Sequence, residues 1–300
     1  MRALNQPVSW WGWHWSPPEP LSIVEILERG SMPLRLAALF WLGIDRGSSL
    51  LIAADPPLAG KTTVLTALLA FAPPEAVAYF TRGLGETFDL PPVSDSHPTY
   101  ILVNEMSDHI PVYTWGRYAR RAFELLAEGY SLATTMHANS VAEVMDILEN
   151  DLSVPQRQIA NLAFVAAMHV GYRGGVGRRR LSEVAFLRPG DQAGAEVRMS
   201  TVAAWNPEDD SFRVADSPEE VSALAAWAGL SEEAFLGEWE RREEFLRGLL
   251  REGVMELRAV QEALFAYYEG LRPEGHPQPP ASGRSRGRQA RRRPPPGPGR

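Results

Sequence analysis

Three apolar runs along the chain end in the same way. SSLLIAA (48–54), Tyr100 to Val103 within TYILVNEMSD (99–108), and the first residues of SLATTMHANS (131–140) are short and apolar or β-branched, and each stops at polar side chains. Their length and composition predict short buried strands with chemistry-bearing residues at their carboxyl ends. After the first run, KTTVLTALLAFAPP (61–74) changes period. Val64, Leu65, Leu68 and Leu69 recur at helical spacing, and Pro73 and Pro74 predict the stop. Towards the carboxyl end, Phe235, Trp239, Leu246, Leu249 and Leu250 mark the apolar face of a long helix, flanked by Glu232, Glu233, Arg241 and Arg242. Gly253 breaks that pattern before a last helix over about residues 256–268. The overall pattern predicts an α/β core followed by a small helical unit.

The turn between the first strand and its helix reads ADPPLAGKTTV (54–64). It matches the phosphate-loop pattern G-x-x-x-x-G-K-[ST] at Gly60, Lys61 and Thr62, with Asp55 in the first glycine position and Pro56 and Pro57 after it. Strand, loop and helix in that order aim backbone N–H groups and the helix dipole at an anion. The residues set to hold phosphate are Leu58, Ala59, Gly60, Lys61, Thr62 and Thr63. Pro56 and Pro57 remove donors only from the early part of the loop, and aspartate tolerates positive φ.

Composition sharpens this reading. The chain holds 29 arginines and a single lysine, Lys61. A phosphate loop is the setting in which a compact ammonium on a flexible stem does what a planar guanidinium cannot. The second run opens onto Asn104, Glu105 and Asp108, and the third onto His137 and Asn139. A carboxylate at the end of a core strand beside such a loop is suited to hold Mg²⁺ or polarise water, so one shared crevice is expected.

The remaining composition bounds the setting. There is no cysteine, which removes disulfides and thiolate metal sites, and no apolar run approaches the roughly 20 residues of a membrane span. The net charge of −7 is unevenly spread. Residues 272–300 carry eight arginines against Glu274 alone, leaving 22 basic and 36 acidic side chains in residues 1–271. That Pro/Gly/Arg-rich tail is expected to be disordered, with its 284–300 end open to nucleic acid or anionic lipid, or without a role of its own. At the other end, WWGWHW (10–15) contains four of the nine tryptophans, suited to packing over a neighbouring domain or to an interface.

The succession GKTT, ILVNEMSD and EGYSLATTMHANS resembles the ATPase family of type II and type IV secretion, type IV pili and archaella. The resemblance spans about residues 20–271, including the lead-in LSIVEILERGSMPLRLAALFWLGIDRGSSLLIA. It also takes in a C-terminal part, from WNPEDDSFRV (205–214) to residue 270, similar to the archaeal-type branch. It implies a RecA-like P-loop NTPase core over 20–203, after a Trp-rich segment (1–19) and without the family's large N-terminal domain, then a helical C-terminal domain (204–271) and the tail (272–300). It further implies ATP and Mg²⁺ as ligands, Lys61 and Thr62 on phosphates and metal, and Glu105 as the acid of the second motif, holding Mg²⁺ through water. His137 would be the histidine-box sensor. A homo-hexamer, or a mixed ATPase ring, would work on an inner-membrane platform protein at the cytoplasmic membrane face.

Departures from the family pattern bear on turnover. Asn104 stands where a glycine precedes the acid. The acidic strand between the two motifs has Thr81, Arg82 and Gly83 in its matching stretch, with Glu86 able to substitute only on a shift of register. That intervening segment is short, and the N-terminal arginines of the family have no counterpart. Two readings follow: an ATP-hydrolysing motor, and a nucleotide-sensing or scaffold subunit with a degenerate site.

Overall fold

A computed structural model of the chain describes residues 1–6, 20–55, 58–173, 176–190 and 196–271. The tryptophan cluster at 10–15, Pro56 and Pro57, and the tail at 272–300 lie outside the described residues. Among the described residues nine strands form a single sheet: β1 (Arg2–Ala3), β2 (Leu50–Ala53), β3 (Val77–Phe80), β4 (Thr99–Met106), β5 (Ser131–Met136), β6 (Phe164–Arg173), β7 (Val176–Arg188), β8 (Arg198–Asn206) and β9 (Ser211–Val214). Their order is β1-β3-β4-β5-β2-β6-β7-β8-β9. From β1 to β6 every pairing is parallel, and β6 to β9 form an antiparallel extension. The architecture is a mixed α/β sheet with helices. One topological fact positions the site: β5 lies between β2, which leads into the glycine-lysine loop, and β4, which carries Glu105.

The helices are α1 (Ile23–Glu28), α2 (Leu34–Asp45), α3 (Lys61–Leu69), α4 (Arg117–Ala127), α5 (Val141–Asp146), α6 (Gln156–Ile159), α7 (Pro218–Ala228), α8 (Glu232–Glu252) and α9 (Leu257–Leu271). Successive residues of the central strands feed opposite faces. Leu50 and Ile52 join a core with α1, α2, α3 and the three C-terminal helices, whereas Leu51 and Ala53 join a second core with α4 and α5. Burial on both faces explains why these strands read as unbroken apolar runs. Helix α3 ends at Leu69, four residues before Pro73, so the prolines follow a turn rather than cut the helix.

Every residue of α2 from Leu36 to Ile44 is buried, as befits a helix enclosed on all sides. The sheet covers one side and α8 and α9 the other. Trp41 stacks on Phe71 with centroids 5.0 Å apart, and its indole N–H donates to the Tyr268 hydroxyl at 2.9 Å. That hydroxyl in turn donates to the Phe71 carbonyl at 2.6 Å. Arg242 departs from expectation. It belongs to the buried face of α8, 2% exposed, because its guanidinium reaches Asp45 on α2 at 2.5 Å and also bonds Glu238. An arginine at an apolar position thus reads as a flank until its carboxylate partners are known.

The sheet continues to Val214, so the boundary drawn after residue 203 falls inside β8 and the helical unit begins at Pro218. A capping box opens α7, with Ser217 and Glu220 bonding each other's backbone N–H groups. The buried side chains of α7, α8 and α9 share one continuous core with α1, α2 and α3.

Candidate functional site

The loop that joins β2 to α3 turns on Gly60, which caps α3 in the left-handed region (φ 97°). Among the described residues no side chain caps this helix, so its first-turn N–H groups have no side-chain acceptor. A Cβ at Gly60 would lie 3.2 Å from the Arg179 side chain, so the position requires glycine for its φ and leaves little room for anything larger. Leu58, 74% exposed, also has positive φ (61°). A bulky residue in that region is strained, and such strain concentrates where the surrounding structure fixes a functional loop. Ala59 is buried, while Thr62 and Thr63 are half-buried on the first turn of α3.

Lys61 is buried beneath the loop and is held by three strand ends. Its ammonium donates to the Ala54 carbonyl at 3.0 Å, lies 3.3 Å from His137 Nδ1, and sits 3.8 Å from Glu105 Oε2. Burial pushes its pKa down, against the opposing pull of Glu105 and Asp55. Glu105 stands where the β4–β5 register shifts between Val103 and Met106. The irregularity turns a strand residue towards the loop, a common use of bulges beside sites. Its carboxylate is 9% exposed, and among the described residues Oε1 accepts no hydrogen bond, although His137 Nε2 lies 3.0 Å away. The His137 ring also meets the Asp55 carbonyl, 3.0 Å from Nδ1.

The structure therefore brings Lys61, Glu105 and His137 together at the ends of β2, β4 and β5, with Leu58 to Thr63 around them. Asn139 and Asp108 do not join. Asn139 is bound through its backbone and side chain to Glu143, at the start of α5. Asp108 is exposed. Glu86 does not stand in for the missing acid, because its carboxylate accepts from Arg82, Thr87 and Phe88 N–H and from the Tyr79 hydroxyl. At the end of β3 it is Thr81 that points inward, bonded to Thr114 and to the Leu102 carbonyl.

Two residues near the loop were not anticipated. Arg179, on β7, donates to the Leu58 carbonyl at 3.3 Å. Its neighbours Arg178 and Arg180 are both tied to Asp210, whose carboxyl they hold well below the usual range, Arg180 contributing most. Among the described residues Arg179 has no such carboxylate, and its guanidinium bonds the loop instead. Together with Arg29, Leu21, Ile26 and Val64 it lines a cavity of about 620 Å³ beside the first turn of α3. His109 lies four residues beyond Glu105, its ring 5.4 Å from that of His137 in an edge-on arrangement. The arginine run 178–180 and the NEMSDH segment were legible as sequence, but neither shows which strand end it approaches.

No known protein-family profile matches the chain. Among proteins of Methanocaldococcus jannaschii, the uncharacterized protein MJ1287 is 25% identical over 255 residues, covering 76% of this chain and 91% of its own length. The uncharacterized protein MJ0900 is 23% identical over 289 residues, 87% of this chain, which spans about half (51%) of that relative. Among solved structures, the VirB11 ATPase of the Brucella suis type IV secretion system, in complex with sulphate, overlaps at 17% identity with a TM-score of 0.35. That overlap covers 54% of this chain and 58% of the other. The Legionella pneumophila ATPase DotB overlaps at 11% identity and TM-score 0.30, covering 89% and 67%. No helix among the described residues is long and apolar enough to cross a membrane.

Proposed function

We propose that this chain is a P-loop ATPase with a RecA-like core, binding ATP with Mg²⁺ and hydrolysing it as a subunit of a secretion- or pilus-type machine at a membrane. One observation carries the reading: Lys61, Glu105 and His137 converge at the ends of three parallel strands, two of them separated by β5, beneath an uncapped helix N-terminus. The donor set fits the ligands. Open first-turn amides, a buried ammonium and the arginine at the loop mouth match a polyphosphate, and a buried carboxylate oxygen without a hydrogen bond matches a hydrated cation.

In this reading the Leu58–Thr63 backbone cradles the phosphates and Lys61 moves from the Ala54 carbonyl onto them. The Thr62 hydroxyl and, through water, Glu105 would hold Mg²⁺, whose contribution would be positive charge beside the phosphate oxygens. Glu105 also orients the attacking water, and His137, bridging Lys61 and Glu105, reports whether Lys61 has left. Arg179 supplies cationic charge from within the chain. A ring of such subunits, acting on a membrane platform protein, is the assembly this reading calls for.

One observation favours slow turnover. Thr81 occupies the strand end where an acid would stand, and Glu86 is committed to the loop below it. A nucleotide-sensing or scaffold subunit is therefore the second reading. Steady-state ATP turnover by the purified chain, alone and with membrane partners, separates the two. A motor shows turnover that Glu105→Gln abolishes while ATP binding survives. Binding with no turnover in either setting leaves the sensing subunit.

A further inference from the structure

Glu105, His109 and His137 offer three ligand atoms that all lie within 4.8 Å of one another. Two features make this more than a chance cluster. The first is Glu105 Oε1, on a carboxylate over nine-tenths buried, which accepts no hydrogen bond even with an imidazole nitrogen 3.0 Å away. Lone pairs that converge near one another without being aimed at one another suit a shared cation better than a shared proton. The second is the other side of the His137 ring. The Asp55 carbonyl oxygen lies 3.0 Å from Nδ1, and in the Nδ1–H tautomer, once the Lys61 ammonium has left that nitrogen, it is the outer partner of a ligating imidazole whose bare Nε2 faces inward. His109 is exposed, so the cluster is open to solvent on that side.

We propose that these three residues bind a first-row transition-metal dication of the imidazole-preferring class, Zn²⁺ or Co²⁺ in type, directly through Glu105 Oε1, His109 and His137 Nε2. Two imidazoles and one carboxylate suit such ions, whereas Mg²⁺ takes oxygen ligands and keeps its waters. Lys61 opposes the site in the nucleotide-free protein, its ammonium 3.8 Å from Glu105 Oε2 and 3.3 Å from His137 Nδ1. Anything that draws Lys61 away, a polyphosphate included, strengthens metal binding. The inference uses the residues of the proposed ATPase site but does not require that reading to hold.

The test is Co²⁺ binding to the full-length chain, followed by visible d–d absorption and by calorimetry. We expect one bound equivalent, weakened at least about tenfold in His109→Ala and in Glu105→Gln. We expect it to be tightened in Lys61→Ala, and to resist roughly a hundredfold excess of Mg²⁺. His109→Gln is the companion variant should the alanine form fold poorly. Absence of Co²⁺ binding, binding that survives both His109→Ala and His137→Ala, or ready displacement by Mg²⁺ overturns the proposal. Fluorescent-nucleotide binding measured on the same samples is a separate readout. Co²⁺ bound through His109 in a chain that binds no nucleotide would sink the ATPase reading and leave the metal site standing.

Discussion

Lys61 and Arg179 bring two cations to the loop, distinguished by shape and by partner. Lys61 is buried and contacts the ends of three strands, so its charge is held in place before any ligand arrives. Arg179 reaches the loop from β7 and, unlike Arg178 and Arg180, is not neutralised by Asp210. The two kinds of arginine should separate on mutation. Arg179→Ala is expected to lower ATP affinity about tenfold, or about 1.4 kcal/mol, without shifting the melting temperature. Arg180→Ala removes a buried ion pair and the bond to the Arg29 carbonyl, and should lower the melting temperature instead. Thermal melts and ATP titrations on both variants check this. Equal effects of the two on ATP affinity would show that Arg179 is not distinguished. Lys61 was legible in the sequence because composition isolates it. Arg179 was not, because nothing in a linear run of arginines shows that one reaches the loop and two are tied to Asp210.

At the scale of elements, the site depends on how strand ends are terminated. After β3 the chain turns through a loop built on the Glu86 carboxylate, which gathers three backbone N–H groups and the Tyr79 hydroxyl. The turn brings Gly83 against the 111–112 backbone, where a Cβ would lie 2.3 Å from the Pro111 carbonyl oxygen. Burial, and then the neighbouring Glu86, push the Tyr79 hydroxyl up to about 12. Because the folded value lies above the ordinary value of about 10, the protonated form is favoured by folding. The contribution is fully present below about pH 10 and is lost as pH rises towards about 12. Thermal melts across that window should therefore fall more steeply for the wild type than for Tyr79→Phe. Parallel curves would mean that the pair contributes nothing to stability.

The buried strands and the long C-terminal helices were legible because their periods are strong. Element ends and long-range partners were not. The helix after the loop stops at Leu69 on its own geometry, before the prolines act. The two-residue β1 exists only through its pairing with β3, and Arg242 is a core residue only through Asp45. The last two of these facts depend on a residue far away along the chain.

For the molecule as a whole, the sheet order explains why Lys61 of the loop and the acid Glu105, 44 residues further on, share one site. Placing β5 between β2 and β4 directs three strand ends into one crevice, where His137 sits between Lys61 and Glu105. Among the described contacts of Lys61, Glu105 and His137, none comes from the C-terminal helices. They close the face behind α2 through Trp41, Tyr268 and Arg242, holding the helix that leads into β2. The measurement that bears most directly on the proposed function is ATP affinity in the wild type against Lys61→Arg, which keeps the charge and changes its shape. Wild-type binding that weakens at least about tenfold in the variant, about 1.4 kcal/mol, is the expected result. Equal affinity in the two proteins, or no binding in the wild type, would contradict it.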